Sequence, residues 1–326
     1  MTLELNKIRQ LDFSDLYLGH PLLGDRYADA GGALVSLLPA NRSMSEDLQQ
    51  LTEICRLASR GTSTRSAFKV EHDGIAYRVS VVSAVYAEVF MLRKIGSAVY
   101  SLAELGIPLA YARQMMRRDL SGLLVISGHA KAGKTMTASG LVKERLIAFG
   151  GVAVTAENPI ELPLEGTHGA GICYQTMPAH HGVDTTEALR AMLRLGAKII
   201  FIDSLEDGRL AAEVLLAAVQ QHLLITTMNA DDVTKTIIKL HALGTETLDK
   251  KTVQTLLANG LAGVLHQRLT PGEYRKLETE FFMLRDATHA QEQIGQGHYR
   301  SLPAEIYQQT RSLIHAHALA ERMGAA

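Results

Sequence analysis

The sequence predicts an α/β protein with a parallel-rich central sheet, preceded by a small α+β domain. From about residue 110 onward, short apolar runs alternate with helical stretches, a pattern typical of a parallel sheet with helical crossovers. Nearer the start, strand-like segments alternate polar and apolar residues and are separated by turn signals. The length of 326 residues suits about two domains at the usual ~100–200 residues each. We expect the first domain over residues 1–100, a connector over 101–110 and the second domain over 111–326.

The first domain carries hairpin and helix signals. Two alternating segments, 67–72 and 75–82, flank a turn sequence, His-Asp-Gly, at 72–74. This arrangement predicts a β-hairpin. A further strand is predicted at 87–93, and residues 43–60 have the spacing and N-terminal serines of a helix.

The strands of the second domain are predicted to be buried on both faces, because each apolar run is short and rich in β-branched residues. The predicted strands are Leu123–Ser127, Val152–Thr155, Ile199–Asp203 and Leu223–Met228, and the predicted helices are Thr135–Phe149, Thr186–Leu195, Leu210–Gln221 and Ser301–Met323. In the connector, Ser101 and Glu104 fit a capping box, the signature of a helix N-terminus.

Composition limits the classes of function. The 33 basic and 34 acidic residues give a net charge of −1, and aromatic residues make up only 5%, so we expect no direct nucleic-acid binding. Cys55 and Cys173 are far apart and match no metal or redox spacing, which favours reduced, buried thiols. The first fifteen residues lack an apolar signal region, and no apolar stretch reaches the ~20 residues that span a bilayer. We therefore expect a cytoplasmic protein without a transmembrane segment.

A complete phosphate-binding motif, Gly-His-Ala-Lys-Ala-Gly-Lys-Thr, occupies residues 128–135 between a predicted strand and a predicted helix. Its glycines let successive backbone N–H groups point at phosphate oxygens, Lys134 supplies positive charge, and the Thr135 hydroxyl suits Mg²⁺. A chance glycine-rich turn is the alternative, and the agreement of strand, loop and helix disfavours it. We expect ATP and Mg²⁺ as ligands. The expected nucleotide-binding residues are Gly128, Ala130, Lys131, Ala132, Gly133, Lys134, Thr135 and Met136.

Two acids are candidates for the chemistry. Asp203 ends an apolar strand, where a carboxylate suits a Mg²⁺ ligand beside the phosphates. Glu157 is the candidate to orient or deprotonate water. The alternative for both is an N-cap or a surface acid. For Asp203 this alternative is weak, because the apolar strand would end in a stranded charge. For Glu157 both alternatives stay open.

Several further segments follow one another in a characteristic order. They are FSDLYL at 13–18, YRVS at 77–80, MLR at 91–93, SLAELGIP at 101–108, TAENPIE at 155–161, ALRAMLR at 188–194 and HLLITTMN at 222–229. With the phosphate loop, this series resembles the secretion ATPase superfamily of type II secretion, type IV pilus and conjugation systems. The resemblance covers nearly the whole chain, and the short first domain favours the branch of PilT-like retraction ATPases, the motors of twitching motility.

This resemblance implies a RecA-like P-loop domain preceded by a PAS-like domain. It also implies an ATP-hydrolysing hexameric ring that works with an inner-membrane platform protein and lies at the inner face of the cytoplasmic membrane. Arg78 and Arg93 fall where the family carries arginines that reach a neighbouring subunit's nucleotide, although alone each would be read as a solvated charge. Arg190 and Arg194 share one helix face and serve either the active site or an ion-pair surface.

Three departures from the family pattern bear on activity. The strand at 198–204 ends in Asp203-Ser204 where the family has Gly-Glu, Asn158 replaces an acid, and Asn229 replaces a histidine. Two hypotheses follow. The first is an ATP-hydrolysing motor for pilus retraction, pilus assembly or a related secretion or conjugation machine. The second is a catalytically weak or inactive relative that regulates or scaffolds such a motor. His180, His181 and His222 lack metal-ligand spacing and fit loop or core positions.

Overall fold

The computed structural model describes residues 7–11, 13–29, 37–60, 67–96, 98–178, 182–270 and 276–324. His180 and His181 lie outside these ranges. The chain divides into two compact units. The first unit comprises Met1–Ser97 together with Asn158–Pro163, and the second unit comprises Ala98–Glu157 and Leu164–Ala326.

The first unit is a six-stranded antiparallel sheet with one long helix, as expected of the α+β domain. Its strands are β1 (Phe13–Leu18), β2 (Arg26–Asp29), β3 (Leu37–Pro39), β4 (Ala67–His72), β5 (Ile75–Ser83) and β6 (Glu88–Lys94), in the order β3-β2-β1-β6-β5-β4. Helix α1 spans Ser45–Arg60. The predicted β4–β5 hairpin is confirmed, and its turn residues Asp73 and Gly74 both have positive φ, 49° and 74°. That geometry is what a two-residue hairpin turn requires.

A buried carboxylate ties the start of the chain to this unit. Asp47 of α1 accepts hydrogen bonds from the Ile8 N–H at 2.8 Å, Lys7 Nζ at 3.0 Å and His72 Nε2 at 3.1 Å. Burial by itself would raise the pKa of Asp47, but these three hydrogen bonds together hold that pKa below its ordinary value. Asp47 therefore stays ionised although it is almost fully buried.

The second unit has an eight-stranded sheet whose six inner strands are parallel, which confirms the parallel-rich α/β prediction. Its strands are β7 (Gly122–Gly128), β8 (Gly151–Ala156), β9 (Gly166–His168), β10 (Gly171–Thr176), β11 (Ile199–Ile202), β12 (Leu223–Asn229), β13 (Leu261–Leu269) and β14 (Leu277–Met283). Their order is β14-β13-β7-β12-β11-β8-β10-β9, with antiparallel strands at both edges. The carboxyl ends of β7, β8, β11 and β12 lie along one edge, where ligands of open α/β sheets bind.

Helices cover both faces of this sheet. They are α2 (Leu109–Met115), α3 (Lys134–Phe149), α4 (Thr185–Arg194), α5 (Gly208–Ala218), α6 (Val233–Thr245), α7 (Lys250–Gly260), α8 (Thr288–Gln296) and α9 (Leu302–Gly324). Four of them begin at an aspartate whose side chain accepts a backbone N–H, as N-caps do. These caps are Asp184, Asp207, Asp232 and Asp249. Helix α5 ends at Ala218 rather than at the predicted Gln221, because Gln221 adopts a positive φ of 66°. Within the described residues, no helix is long and apolar enough to cross a bilayer.

The predicted capping box in the connector forms without a helix behind it. Ser101 N and Oγ both bond to Glu104 Oε2 at 2.7 Å, and Glu104 N–H donates back to Ser101 Oγ at 3.2 Å. The chain then makes a turn rather than a helix, because Gly106 has a φ of 79°. The connector belongs to the second unit, where the Leu102 N–H donates to Glu144 of α3 at 2.7 Å.

Both cysteines agree with their predicted state. Cys55 and Cys173 are buried free thiols. Burial raises the pKa of each thiol to about 12, so both stay protonated and unreactive at neutral pH.

Candidate functional site

The phosphate loop leaves the fully buried strand β7 and enters α3, the context that its motif requires. Gly128 has a φ of 155°, and a Cβ there would overlap the backbone carbonyl of Gln267. Gly133 and Lys131 also have positive φ, 83° and 65°. The chain thus curls over the first turn of α3, where unpaired backbone N–H groups favour an anion.

A buried glutamine on strand β13 supports the loop through a hydrogen bond. Gln267 lies on β13 beside β7, is 1% exposed, and donates from Nε2 to the Ala132 carbonyl at 2.6 Å. Its Oε1 has no hydrogen-bond partner among the described residues. The neighbouring His266 contacts Ser127 Oγ at 3.2 Å, and burial lowers the pKa of its ring, which keeps it neutral. The sequence did not predict a role for Gln267, because no motif in its own segment points to the phosphate loop.

Lys134 lies across the open side of the loop. Its Nζ donates to the His129 carbonyl and to Asn229 Oδ1, both at 2.8 Å. Asn229 ends β12, so the structure brings the end of this strand next to the loop lysine. Thr135 and Met136 follow in the first turn of α3, while Ala130 and Lys131 are exposed in the loop.

Asp203 directly follows β11, whereas the sequence predicts that the strand ends at Asp203 itself, one residue later. Thr227 of β12 donates from Oγ1 to Asp203 Oδ1 at 2.6 Å. The same hydroxyl oxygen accepts the Ser204 N–H at 3.2 Å. Ser204 has a φ of 63°, a conformation that a residue with a side chain rarely adopts and that clusters at functional sites.

Glu206 joins the site through two hydrogen bonds that sequence reasoning missed. Its Oε1 accepts from Ser204 Oγ at 2.9 Å and from Asn229 Nδ2 at 3.4 Å. Since Asn229 Oδ1 accepts from Lys134, the three side chains form a continuous chain from carboxylate to loop lysine. Glu206 lies three residues beyond Asp203, the predicted end of the strand, where sequence alone treats an acid as a surface residue.

Glu157 follows β8 and is completely buried. Its Oε1 accepts from Thr155 Oγ1 at 2.6 Å and from Gln175 Nε2 on β10 at 2.8 Å. The carboxylate is therefore neither a surface acid nor a helix cap, and its position is fixed by two neighbouring strands. Its role toward water stays a prediction.

The two candidate arginines lie directly opposite each other on β5 and β6 of the first unit. Arg78 Nη1 pairs with Glu161 Oε1 at 2.6 Å, and Arg93 Nη2 pairs with Asp15 Oδ1 at 2.6 Å. Both guanidinium groups are partly exposed and each has a carboxylate partner within its own unit. Their action on a neighbouring subunit's nucleotide stays a prediction.

The remaining candidates have structural partners. Arg190 of α4 pairs with Glu213 of α5 on the protein surface, as an ion-pair face would. His222 Nδ1 lies 2.9 Å from the Ala197 carbonyl oxygen. In the described part of the chain, no group of three or more histidine, cysteine or acidic side chains is placed to hold a metal. A Mg²⁺ site here would accordingly need oxygens from its nucleotide and from water, as nucleotide-bound Mg²⁺ ordinarily has.

Residues 61–317 match the model of the type II/IV secretion system protein family. The chain belongs to this family. Among curated proteins, the putative type II secretion system protein E of Escherichia coli strain K12 is 25% identical over 209 residues, which are 63% of this chain and 40% of that relative. The type IV pilus assembly ATPase PilB of Thermus thermophilus is 28% identical over 197 residues, covering 59% of this chain and 21% of PilB. The chain thus spans less than half the length of these family members.

Solved structures establish the fold of this family member. The pilus retraction motor PilT, determined with bound ADP, superposes with a TM-score of 0.74 over 95% of this chain and 91% of PilT, at 21% identity. The ATPase DotB of Legionella pneumophila superposes with a TM-score of 0.70 over 93% of this chain and 85% of DotB, at 18% identity. The predicted RecA-like P-loop domain behind a smaller β-rich domain is therefore confirmed.

Proposed function

We propose that this protein is an ATP-hydrolysing motor that assembles as a hexameric ring and drives pilus retraction or assembly, or a related secretion or conjugation machine. The observation that carries the proposal is the shared edge of the second unit's sheet. There the phosphate loop with Lys134, the Asp203 carboxylate and the Glu157 carboxylate follow the carboxyl ends of the parallel strands β7, β11 and β8. Family membership supports the same activity.

The loop fits the phosphates of a nucleotide. Gly128 and Gly133 hold backbone conformations that keep the loop close and its N–H groups available. Lys134 Nζ donates hydrogen bonds to a carbonyl oxygen and to an amide oxygen. Charged phosphate oxygens bind an ammonium group more strongly than these neutral oxygens and would replace both. In this proposal Lys134 turns toward the β and γ phosphates when ATP binds.

Two oxygen donors suit a metal ion. The Thr135 hydroxyl and the Asp203 carboxylate are the hard ligands that Mg²⁺ prefers, and one carboxylate is enough when phosphate and water complete the shell. Bound Mg²⁺ would neutralise charge on the transferred phosphoryl group. Thr227 orients Asp203 through its 2.6 Å hydrogen bond. Glu157, fixed by Thr155 and Gln175, is proposed to orient the attacking water.

The placement of the arginines supports the proposed ring. Arg78 and Arg93 lie on the first unit, whereas the phosphate loop lies on the second, so a neighbour's arginines can complete each site. An interface that joins different surfaces of two copies closes into a ring or extends into a filament. In this proposal the two arginines leave their ion pairs with Glu161 and Asp15 and bind the phosphates of a neighbour's nucleotide instead.

The proposed place of work is the inner face of the cytoplasmic membrane, against a platform protein of the pilus or secretion system. A second candidate function is a regulatory or scaffolding subunit with weak or no hydrolysis. It is favoured by Ser204, two residues beyond β11, and by Asn229 at the end of β12, because a hydroxyl and an amide stand where the resembled pattern has groups that accept a proton near neutral pH. Asn158 adds a third such replacement.

Steady-state ATP hydrolysis of the purified full chain at controlled oligomeric state tests the proposal. With ATP and Mg²⁺, light scattering should show hexamers, and phosphate release per subunit should rise with the assembled fraction. A protein that binds ATP and assembles but releases no phosphate in any oligomeric form would support the regulatory candidate instead. If light scattering showed only monomers at high protein concentration, the proposed ring would be contradicted.

A further inference from the structure

We propose that Glu206, which the turn after β11 brings to the site, is the proton acceptor of the hydrolysis reaction. The inference rests on the proposed ATPase function and adds a catalytic residue to it. The observation behind it is the chain of hydrogen bonds Glu206–Asn229–Lys134, which places this carboxylate two hydrogen bonds from the ammonium group of the loop lysine.

The end of β11 itself supplies no base. Ser204 carries a hydroxyl, which is neither charged nor basic near neutral pH. Asp203 Oδ1 accepts a hydrogen bond from the Thr227 hydroxyl, and the proposed function assigns this carboxylate to the metal. Glu157 is completely buried between β8 and β10, so a proton that it accepted would have no direct path to solvent. Glu206 is exposed and can exchange its proton with bulk water.

The turn fixes where Glu206 lies. The Ser204 N–H and the Leu205 N–H both bond to Thr227, at 3.2 Å to its Oγ1 and at 3.0 Å to its carbonyl oxygen. The Leu205 side chain is fully buried, which anchors the turn in the core. The positive φ of Ser204 then directs the chain back, so that Glu206 meets both the Ser204 hydroxyl and the Asn229 amide. Without that backward turn, the chain would continue outward in the direction of the strand.

The reaction balances with Glu206 in this role. The oxygen of a water molecule bonds to the γ-phosphorus, and the bond from that phosphorus to the β,γ-bridging oxygen breaks. The electron pair of the broken bond stays on ADP. The water's proton passes to the Glu206 carboxylate and from there to solvent. Asn229 and Ser204 position the carboxylate by donating hydrogen bonds to its Oε1, which leaves its other oxygen to accept the proton.

The experiment compares Glu206→Gln with a matched control, Asp207→Asn, in the full chain. Glu206→Gln should lower kcat by about 10²–10⁴-fold, the usual contribution of a positioned base. Its affinity for a non-hydrolysable ATP analogue should stay within about twofold of wild type, since the phosphate loop is untouched. Asp207→Asn removes a carboxylate one residue away but keeps the α5 cap, because asparagine caps helices as well as aspartate does. Its kcat should stay near that of wild type.

Two further variants separate chemistry from folding. Glu206→Asp keeps a carboxylate and should recover part of the lost rate. Ser204→Ala removes one of the two donors to Glu206 Oε1 and should lower kcat about tenfold, as expected for the loss of one hydrogen bond to a charged group. Glu206→Gln at the wild-type rate, or Asp207→Asn with an equal loss, would overturn the assignment and leave the proposed ATPase intact. Absence of hydrolysis in the wild type with normal analogue binding would overturn both.

Discussion

The two sides of the candidate site are held in different ways. On one side, the phosphate loop is shaped by its backbone, with Gly128 and Gly133 at positive φ and Gln267 bonded to the loop from below. On the other side, Asp203 and Glu157 are positioned by hydrogen bonds from side chains of neighbouring strands. The loop side carries a complete phosphate-binding motif, whereas Asn158, Ser204 and Asn229, the three departures from the pattern that the sequence resembles, lie outside that loop.

This contrast teaches that binding and hydrolysis have separate structural supports. A loop built from backbone N–H groups loses little when side chains that do not contact it change, because its donors are the same for every residue type. Side-chain hydrogen bonds can be changed one at a time by single substitutions, and the Ser204–Glu206 bond is of this kind. We therefore expect substitutions on the acidic side to change rates and substitutions on the loop side to change affinity.

The largest expected effect lies on the acidic side and separates its two carboxylates. Glu157→Gln should lower the hydrolysis rate by about 10²–10⁴-fold at any Mg²⁺ concentration, because the metal ligands stay in place while a charged group that orients water is lost. Asp203→Asn should lose activity at low Mg²⁺ and recover part of it as Mg²⁺ is raised, because an amide oxygen binds the metal more weakly. A Mg²⁺ titration of both variants measures the difference.

Wild-type rates in both variants would remove these two acids from the mechanism. A Glu157→Gln protein that recovers with Mg²⁺ would exchange the two roles. The control is Glu213→Gln on α5, which removes the surface ion pair with Arg190 and should leave the titration unchanged.

The next largest effect belongs to the loop side. Lys134→Ala should weaken ATP binding at least about 10²-fold, because each hydrogen bond from a charged group to phosphate contributes about 1.5–3 kcal/mol. The fold should survive, since Lys134 is partly exposed and its bonds to the His129 carbonyl and to Asn229 lie at the surface. Equilibrium binding of a fluorescent ATP analogue measures the loss, with Lys251→Ala on α7 as the control. Undiminished affinity in Lys134→Ala would contradict the phosphate-loop assignment.

The fold was largely predictable from the sequence because its strands and helices carry local signals. The hairpin at 72–74 has its turn residues, and the four predicted strands of the second unit are short apolar runs that the sheet buries. The edge hairpins β9–β10 and β13–β14 were not predicted. Their strands are mixed in polarity, and what defines them is pairing with the finished sheet.

The site was predictable only in part, for a physical reason. Lys134, Asp203 and Glu157 stand in or directly after predicted strands and motifs, so their places could be derived. Glu206 and Gln267 could not be derived. Glu206 reaches the site through the positive φ of Ser204, and Gln267 reaches it from a strand 135 residues away in sequence from its partner Ala132.

Gln267 gives the smallest expected effect and the finest test of the contrast between the two sides. Gln267→Leu removes the hydrogen bond to the Ala132 carbonyl and should weaken binding of the ATP analogue about fivefold, because the loop loses one support worth about 1 kcal/mol. The hydrolysis rate at saturating ATP should stay near that of wild type. The melting temperature should change little, since leucine also removes the buried Oε1 that has no partner among the described residues.

Gln309→Leu is the matched control for that variant. Gln309 also donates to a backbone carbonyl, that of Met283 at 2.8 Å, and its Oε1 accepts the Met283 N–H at 2.6 Å. This control should therefore lose stability and keep its affinity for the analogue, the reverse of Gln267→Leu. If both variants lose stability alike and keep affinity, Gln267 is an ordinary packing residue and the loop does not depend on support from β13. If Gln267→Leu instead lowers the saturated rate, the loop and the acidic side are coupled, and binding and hydrolysis are not separable in this protein.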